Sequence, residues 1–149
     1  MACPYFRPSK PLPLSSWKGK LRPPLGEPHA GECLACEAEA VAPGTDLLET
    51  CNLGYPALEC ARFPKSGVAD AVRFVVAADE DDVVRIVYSY EKDHLPLRHG
   101  EIRYGRRRGE WKGLAAGSLL WSQAEAYLNS YLRWREGRLT RESAEKPPR

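Results

Sequence analysis

The chain has 149 residues and is 43% hydrophobic, which is the size and composition of one ordinary globular domain. Its formal net charge is only +2, so the chain as a whole is not the strongly basic protein that binds nucleic acid by bulk charge. It has no run of about 18 apolar residues and no basic and apolar leader at its start, so we expect neither a membrane span nor a secretory signal. The expected compartment is the reducing cytoplasm.

Proline dominates the first part of the chain. Seven of the 13 prolines lie within the first 28 residues. Because proline fixes φ and has no backbone N–H, this stretch is not expected to form a regular helix or a central strand. We predict that residues 1–65 form an irregular, loop-rich region that something other than a hydrophobic core must order.

All five cysteines lie in this same region, at positions 3, 33, 36, 51 and 60. Cysteines that served only as small core residues would be accepted equally well in the apolar second half of the chain. Disulfides are rare in reducing compartments, and an odd number of cysteines leaves one thiol unpaired. The clustering therefore favours a shared metal or iron–sulfur centre.

The spacing of the cysteines favours a cluster over a single zinc ion. A ribbon-type zinc site normally has two CxxC pairs, and this chain has one, Cys33 to Cys36. The thiolates of an iron–sulfur cluster can come from isolated loops, and Cys3-Pro4 resembles the Cys-Pro end of bacterial ferredoxin cluster sequences. We predict a [4Fe–4S] cluster, with zinc as the alternative cofactor. The predicted ligands are Cys3, Cys33, Cys51 and Cys60, with Cys36 as the alternative to Cys33 and His29 as a spare zinc ligand.

The residues beside these cysteines predict the surroundings of the centre. Gly31 lets the backbone approach Cys33 closely, whereas the acidic stretch after Cys36 is unfavourable beside an anionic cluster. Asn52 and Gly54 tolerate positive φ and are expected to aim backbone N–H groups at a cysteine sulfur. The flanking aromatic side chains are expected either to shield a cluster or to form the small core of this region. They are Tyr5, Phe6, Tyr55 and Phe63.

From residue 66 the sequence becomes rich in β-forming residues. Runs at 71–77 and 83–90, separated by the acidic turn 79–82, predict a hairpin. The two-residue period of the second run places Val84, Ile86, Tyr88 and Tyr90 on one buried face. A further strand pair is predicted at 100–104 and 110–112.

A helix follows the strands. Ser122 and Glu125 fit the capping box at a helix start, apolar residues recur at helical spacing, and Gly137 suits the helix end. The predicted fold is α+β, a small antiparallel sheet and one C-terminal helix packed on the loop-rich region. We expect a single domain over residues 1–137, divided at 65/66, with residues 138–149 as a disordered tail.

The turn between the last two predicted strands carries the strongest local positive charge. The C-terminal segment from residue 94 has 12 basic and 6 acidic residues. Cations mixed with aromatic residues suit contact with nucleic acid or an acidic protein partner. The same residues are also typical of a charged sheet edge, and Tyr104 and Trp111 would pair across the two strands in a core. The candidate contact residues are Arg106, Arg107, Arg108 and Trp111.

No catalytic motif is present, so we expect that the protein is not an enzyme on its own. Loop histidines bonded to backbone or water are favoured over a metal site or a general base built from Asp93, His94 and His99. The predicted function is that of a small iron–sulfur protein in electron transfer or redox sensing, with a redox protein as its partner. The alternative is a zinc- or cluster-stabilised binding module that uses the basic hairpin 103–112.

Overall fold

A computed structural model describes residues 2–18, 22–35, 45–55 and 60–144. The architecture is α+β with a long C-terminal helix, as the sequence predicts, but it has two antiparallel sheets where the sequence predicts one. In chain order the elements are β1 (Phe6–Pro11), a 3-10 turn (Leu14–Ser16), β2 (His29–Cys33), α1 (Thr45–Leu53), β3 (Ala71–Asp79), β4 (Val83–Lys92), β5 (Leu95–Gly105), β6 (Glu110–Lys112) and α2 (Leu119–Ala144).

The larger sheet has the strand order β3-β4-β5-β6, and every neighbouring pair is antiparallel. The predicted hairpin is confirmed, and so are the two later strands. The third strand begins at Leu95, five residues before the expected start, because only Asp93 and His94 separate it from β4. Both residues have positive φ, 50° and 63°, and this lets two residues reverse the chain within a tight hairpin.

One face of the larger sheet forms the main core with α2. Val84, Ile86 and Ile102 are fully buried there, as the two-residue period predicts for β4, and they pack with Ala124 and Leu128 of α2. Tyr104 and Trp111 are cross-strand partners with ring centroids 5.1 Å apart, and both pack against this core. The opposite face of the sheet carries mostly charged and polar side chains, together with the cross-strand pair Val75 and Val87.

The proline-rich region contains more regular structure than the sequence analysis predicts. β1 and β2 form a separate two-stranded sheet, with a bulge between Pro8 and Lys10, and α1 follows. Both strands of such a sheet are edge strands, where the missing N–H of a proline costs no ladder hydrogen bond. The expectation of a wholly irregular region over 1–65 is therefore wrong for its described parts.

Helix α2 differs from its prediction at both ends. It begins at Leu119, where the Ser118 hydroxyl accepts a hydrogen bond from the Trp121 N–H at 3.1 Å, so Ser118 is the N-terminal cap. Ser122 lies inside the helix, and the expected end at Gly137 is wrong, since the helix continues to Ala144 and covers part of the expected tail. Within the described ranges, no helix combines the length and the apolar character that a bilayer span needs.

The outer edge of β3 is covered by two other parts of the chain. Ala2 pairs with Val72 through two backbone hydrogen bonds of 2.7 and 2.9 Å, which places the residue before Cys3 on the sheet. Further along the edge, the Val76 N–H donates to the Tyr127 hydroxyl of α2 at 3.3 Å. These contacts satisfy edge groups that would otherwise pair with another chain.

Asp79, at the end of β3, joins the larger sheet to α2. Its carboxylate accepts a hydrogen bond from the Tyr131 hydroxyl at 2.7 Å and forms ion pairs with Arg135, at 3.0 Å, and with Arg106 of the β5–β6 turn. Burial acts to raise the pKa of this carboxyl, but the hydrogen bonds from Arg106 and Tyr131 and the nearby positive charges outweigh it, so the pKa is lowered. The ionised carboxylate therefore stabilises the folded state.

We expect Asp79→Asn to reduce the free energy of unfolding by about 2 to 4 kcal/mol at neutral pH, because a mostly buried ionic hydrogen-bond network loses its negative charge and one of its two acceptor oxygens. The stabilisation exists above the ordinary aspartate pKa and is lost as the pH falls through the lowered folded value. The variant should thus lose less stability than the parent between about pH 4 and pH 2. Urea unfolding at several pH values measures both effects.

Asp82→Asn is the matched control for this prediction. Asp82 pairs with Arg107 at 3.0 Å, but its side chain is 47% exposed and that of Arg107 is 83% exposed. Exposed ion pairs contribute little, so this variant should unfold like the parent. Equal losses in the two variants would contradict the role assigned to Asp79.

Candidate metal centre

The structure brings together four of the five cysteines from four separate segments. Cys3 precedes β1, Cys33 ends β2, Cys51 lies in α1, and Cys60 begins the turn that leads to Phe63. All four are free thiols. Cys36, the alternative ligand, lies outside the described residues.

The four thiols share one electrostatic neighbourhood. Cys3, Cys33 and Cys51 are each no more than 6% exposed, and Cys60 is half-buried. Burial is the main cause that raises the pKa of Cys3 to about 12, and the other three thiols add to it. Burial followed by Cys33 and Cys60 likewise raises the pKa of Cys51 to about 11. Without a bound cation Cys3 and Cys51 therefore remain neutral thiols at physiological pH.

Cys3 is held by contacts from three directions. Its backbone N–H donates to the carbonyl of Cys51 at 3.2 Å, which joins the first segment to α1. Its carbonyl accepts from the Phe6 N–H at 3.1 Å and from the Gln123 amide of α2 at 2.8 Å. Gln123 also donates to the Phe6 carbonyl at 2.7 Å. The sequence analysis did not identify Gln123, whose only signal was its place one turn before Tyr127 on the buried side of the helix.

Cys33 is placed by the register of the small sheet. Its partner across the sheet is Phe6, which is fully buried in a cluster with Cys3 and Cys51. A Cβ atom at Gly31 would lie 2.1 Å from the Arg7 carbonyl and 2.7 Å from the Phe6 ring. Gly31 therefore allows the close approach of β1 and β2 that places Cys33 beside the buried side chains of Cys3, Phe6 and Cys51.

Asn52 attaches α1 to β2. Its side-chain oxygen accepts from the His29 N–H at 2.9 Å, and its amide donates to the carbonyls of His29, at 3.0 Å, and Leu48, at 2.8 Å. Asn52 is 1% exposed and helical, so it contributes its side chain rather than a positive-φ backbone. The contact fixes the helix that carries Cys51 beside the strand that carries Cys33.

The turn after α1 directs its aromatic residue away from the thiols. Gly54 and Tyr55 have φ values of 73° and 54°. The Tyr55 hydroxyl donates to Glu91 at 2.5 Å, and its ring stacks on His94 with centroids 4.1 Å apart. Burial first, and then the hydrogen bond to Glu91, raises the pKa of Tyr55 to about 12. Tyr55 thus connects the cysteine-bearing helix to the β4–β5 hairpin.

The remaining aromatic residues pack around the thiols. Tyr5 and Phe63 contact the buried cluster of Cys3, Phe6 and Cys51, and their own rings meet edge to face at 5.4 Å. This arrangement satisfies both sequence interpretations, since the same rings form a small core and keep water from the thiols.

The histidines do not join the thiols. His29 is buried, and its Nδ1 lies 2.8 Å from the Glu27 carbonyl; burial lowers its pKa. His94 stacks on Tyr55, and His99 lies on the exposed face of β5. Across the described ranges, no three His, Cys, Asp or Glu side chains lie in an arrangement that could hold one metal ion.

The structure assigns different roles to the residues of the basic hairpin. Arg106 is held by Asp79 and by the Glu80 carbonyl, so it is part of the scaffold. Trp111 packs with Tyr104 on the core side of the sheet. Arg107 is exposed beside Asp82, and Arg108 is exposed in the same turn.

Comparison of the chain with protein families, with curated proteins and with solved structures found no match.

Asn52→Ala should reduce the free energy of unfolding by about 2 to 4 kcal/mol, because the buried N–H and carbonyl of His29 lose their partners. The thiols of Cys33 and Cys51 should then react faster with a thiol reagent under native conditions, since α1 is released from β2. Chemical unfolding and thiol-labelling rates measure the two effects.

Asn129→Ala is the matched control, because Asn129 is exposed on α2 and alanine favours the helix. It should leave both stability and labelling close to those of the parent. If Asn52→Ala behaves like this control, Asn52 does not position the cysteines.

Proposed function

We propose that the protein is a small iron–sulfur protein in which Cys3, Cys33, Cys51 and Cys60 hold a [4Fe–4S] cluster. The observation that carries the proposal is the convergence of four free thiols from four separate segments, three of them buried. Loops this rich in proline and turns gain little from packing, so a centre that joins them compensates for their lost chain entropy.

The chemistry of the donor set fits such a cluster. Four thiols are the usual ligands of [4Fe–4S] clusters. The raised pKa values of Cys3 and Cys51 mean that burial disfavours their thiolate forms, and a cationic metal core would offset this cost. A bound cluster would supply reversible one-electron transfer.

The other three thiols raise the pKa of Cys3, but the four thiols do not surround one point. Metal binding therefore requires the four segments to move closer together. A single zinc ion holds each sulfur at about 2.3 Å and demands the greater closure. A cluster is larger and demands less movement, which is why we favour it over zinc.

The surroundings of the thiols suit a redox role. Phe6, Tyr5 and Phe63 limit the access of water, and solvent exposure is one of the factors that set a cluster potential. The half-buried Cys60 lies on the side where electrons would enter or leave. The partner in this role is a redox protein that docks at that side.

The test is the visible absorption of protein purified without oxygen, with iron, zinc and acid-labile sulfide measured on the same sample. We expect broad absorption in the blue and about four irons and four sulfides per chain. Cys51→Ser should lose most of both, because it removes one of the two most central thiols. Cys36→Ser is the matched control and should retain them.

The outcomes separate the alternatives. Loss of iron in Cys36→Ser but not in Cys33→Ser would identify Cys36, rather than Cys33, as the fourth ligand. A colourless protein with one zinc would make the centre structural and support the binding-module alternative. A protein that keeps its metal and its fold when Cys3, Cys51 and Cys60 are all changed to serine would refute both forms of the proposal.

A further inference from the structure

The open face of the larger sheet carries a groove of about 770 Å³ at the end that lies towards the β3–β4 and β5–β6 turns. The cysteines lie towards the opposite end, where Ala2 pairs with Val72. The groove is therefore separate from the proposed metal centre. Its lining includes five cations, which are Arg85, Arg103, Arg107, Arg108 and Lys112, and three carboxylates, which are Glu80, Asp82 and Glu110.

Three of these cations form a row across adjacent strands. Arg85 of β4 is directly opposite Arg103 of β5, and Arg103 is directly opposite Lys112 of β6. Strands are spaced by about 4.8 Å, so the row extends across roughly 10 Å of the sheet. Like charges directly opposite one another destabilise a sheet. An anion bound at this row would reduce the repulsion that Glu101 leaves between its members.

The nearby carboxylates neutralise only part of this charge. Glu101 pairs with both Arg85, at 3.3 Å, and Arg103, at 2.8 Å, and so one carboxylate serves two guanidinium groups. Asp82 pairs with Arg107 at 3.0 Å. The side chains of Arg108 and Lys112 form no hydrogen bond or ion pair with the described residues.

We propose that this groove binds the sugar–phosphate backbone of a nucleic acid strand. An extended row of cations matches a chain of phosphates rather than one isolated anion. A protein partner is less suitable, because protein interfaces depend on a buried apolar or aromatic centre. Val83 is the one apolar side chain among the described residues of the lining, and the neighbouring Tyr104 and Trp111 face the core.

The lining also determines the kind of binding. With no aromatic side chain in the described lining, the groove offers no platform for stacking bases. Binding is therefore independent of base sequence and strongly dependent on salt. This surface differs from the hairpin predicted from the sequence, because Arg106 and Trp111 do not take part.

The test titrates a fluorescently labelled, mixed-sequence single-stranded DNA with the full chain and measures its fluorescence anisotropy. The DNA has about 20 nucleotides, which is longer than the binding site of a single small domain. With about three phosphates contacted, affinity should fall roughly twentyfold between about 50 and about 200 mM salt. Arg103→Gln/Arg108→Gln/Lys112→Gln should weaken binding at least about tenfold at the lower salt and make the salt slope shallower by about 2. Its melting temperature should be equal to or above that of the parent.

A matched control removes three exposed cations elsewhere, Lys10→Gln/Lys18→Gln/Arg141→Gln, and should retain most of the affinity. Glu110→Gln removes an acidic group from the groove and should strengthen binding, which misfolding does not do. No binding at about 50 mM salt, or equal losses in the two triple variants, would overturn the proposal. So would a polyglutamate that displaces the DNA at matched charge, since the groove would then take acidic polypeptides.

Discussion

The contact on which the rest of the structure depends is the side-chain amide of Gln123. From within α2 it donates hydrogen bonds to the carbonyls of Cys3 and Phe6, and it is 1% exposed. These two hydrogen bonds join α2, which covers the larger sheet, directly to the segment that leads into the small sheet. A buried carbonyl without a donor costs about 1 to 3 kcal/mol. The Cys3 carbonyl also accepts from the Phe6 N–H, so Gln123 is one of its two donors. Phe6 then sets Cys33 across the small sheet, and Cys3 contacts Cys51, so one amide orients three of the four thiols.

The second half of the fold was largely predictable from the sequence. The two-residue period of β4 identified its buried face, because a strand with one wet face must alternate. The ends of α2 were not predictable, since Ser122 offered a capping pattern as good as that of Ser118 and a glycine inside a long helix costs only about 1 kcal/mol. In the proline-rich region, local rules excluded a central strand but carried no information about the pairing of β1 with β2. That pairing depends on tertiary contacts.

The sequence pointed to the members of the candidate centre but not to the contacts that support it. Clustering along the chain selected Cys3, Cys33, Cys51 and Cys60 as candidate ligands, and the structure places these four thiols near one another. Gln123 and Asn52 act across large sequence separations through side-chain amides, and no local pattern marks such contacts. For the basic turn, composition predicted a binding surface but did not identify its residues. Arg106 pairs with Asp79, and the strand register places the side chains of Arg103 and Lys112 on the exposed face.

The bond between Cys3 and Gln123 also has a consequence during synthesis, because 120 residues separate its two ends. At about 5 to 20 residues per second, a ribosome needs roughly 6 to 24 seconds to add them. The nascent chain therefore exposes its cysteines long before the helix that orders them exists. The thiols are therefore open to oxidation until α2 has been synthesised and docks.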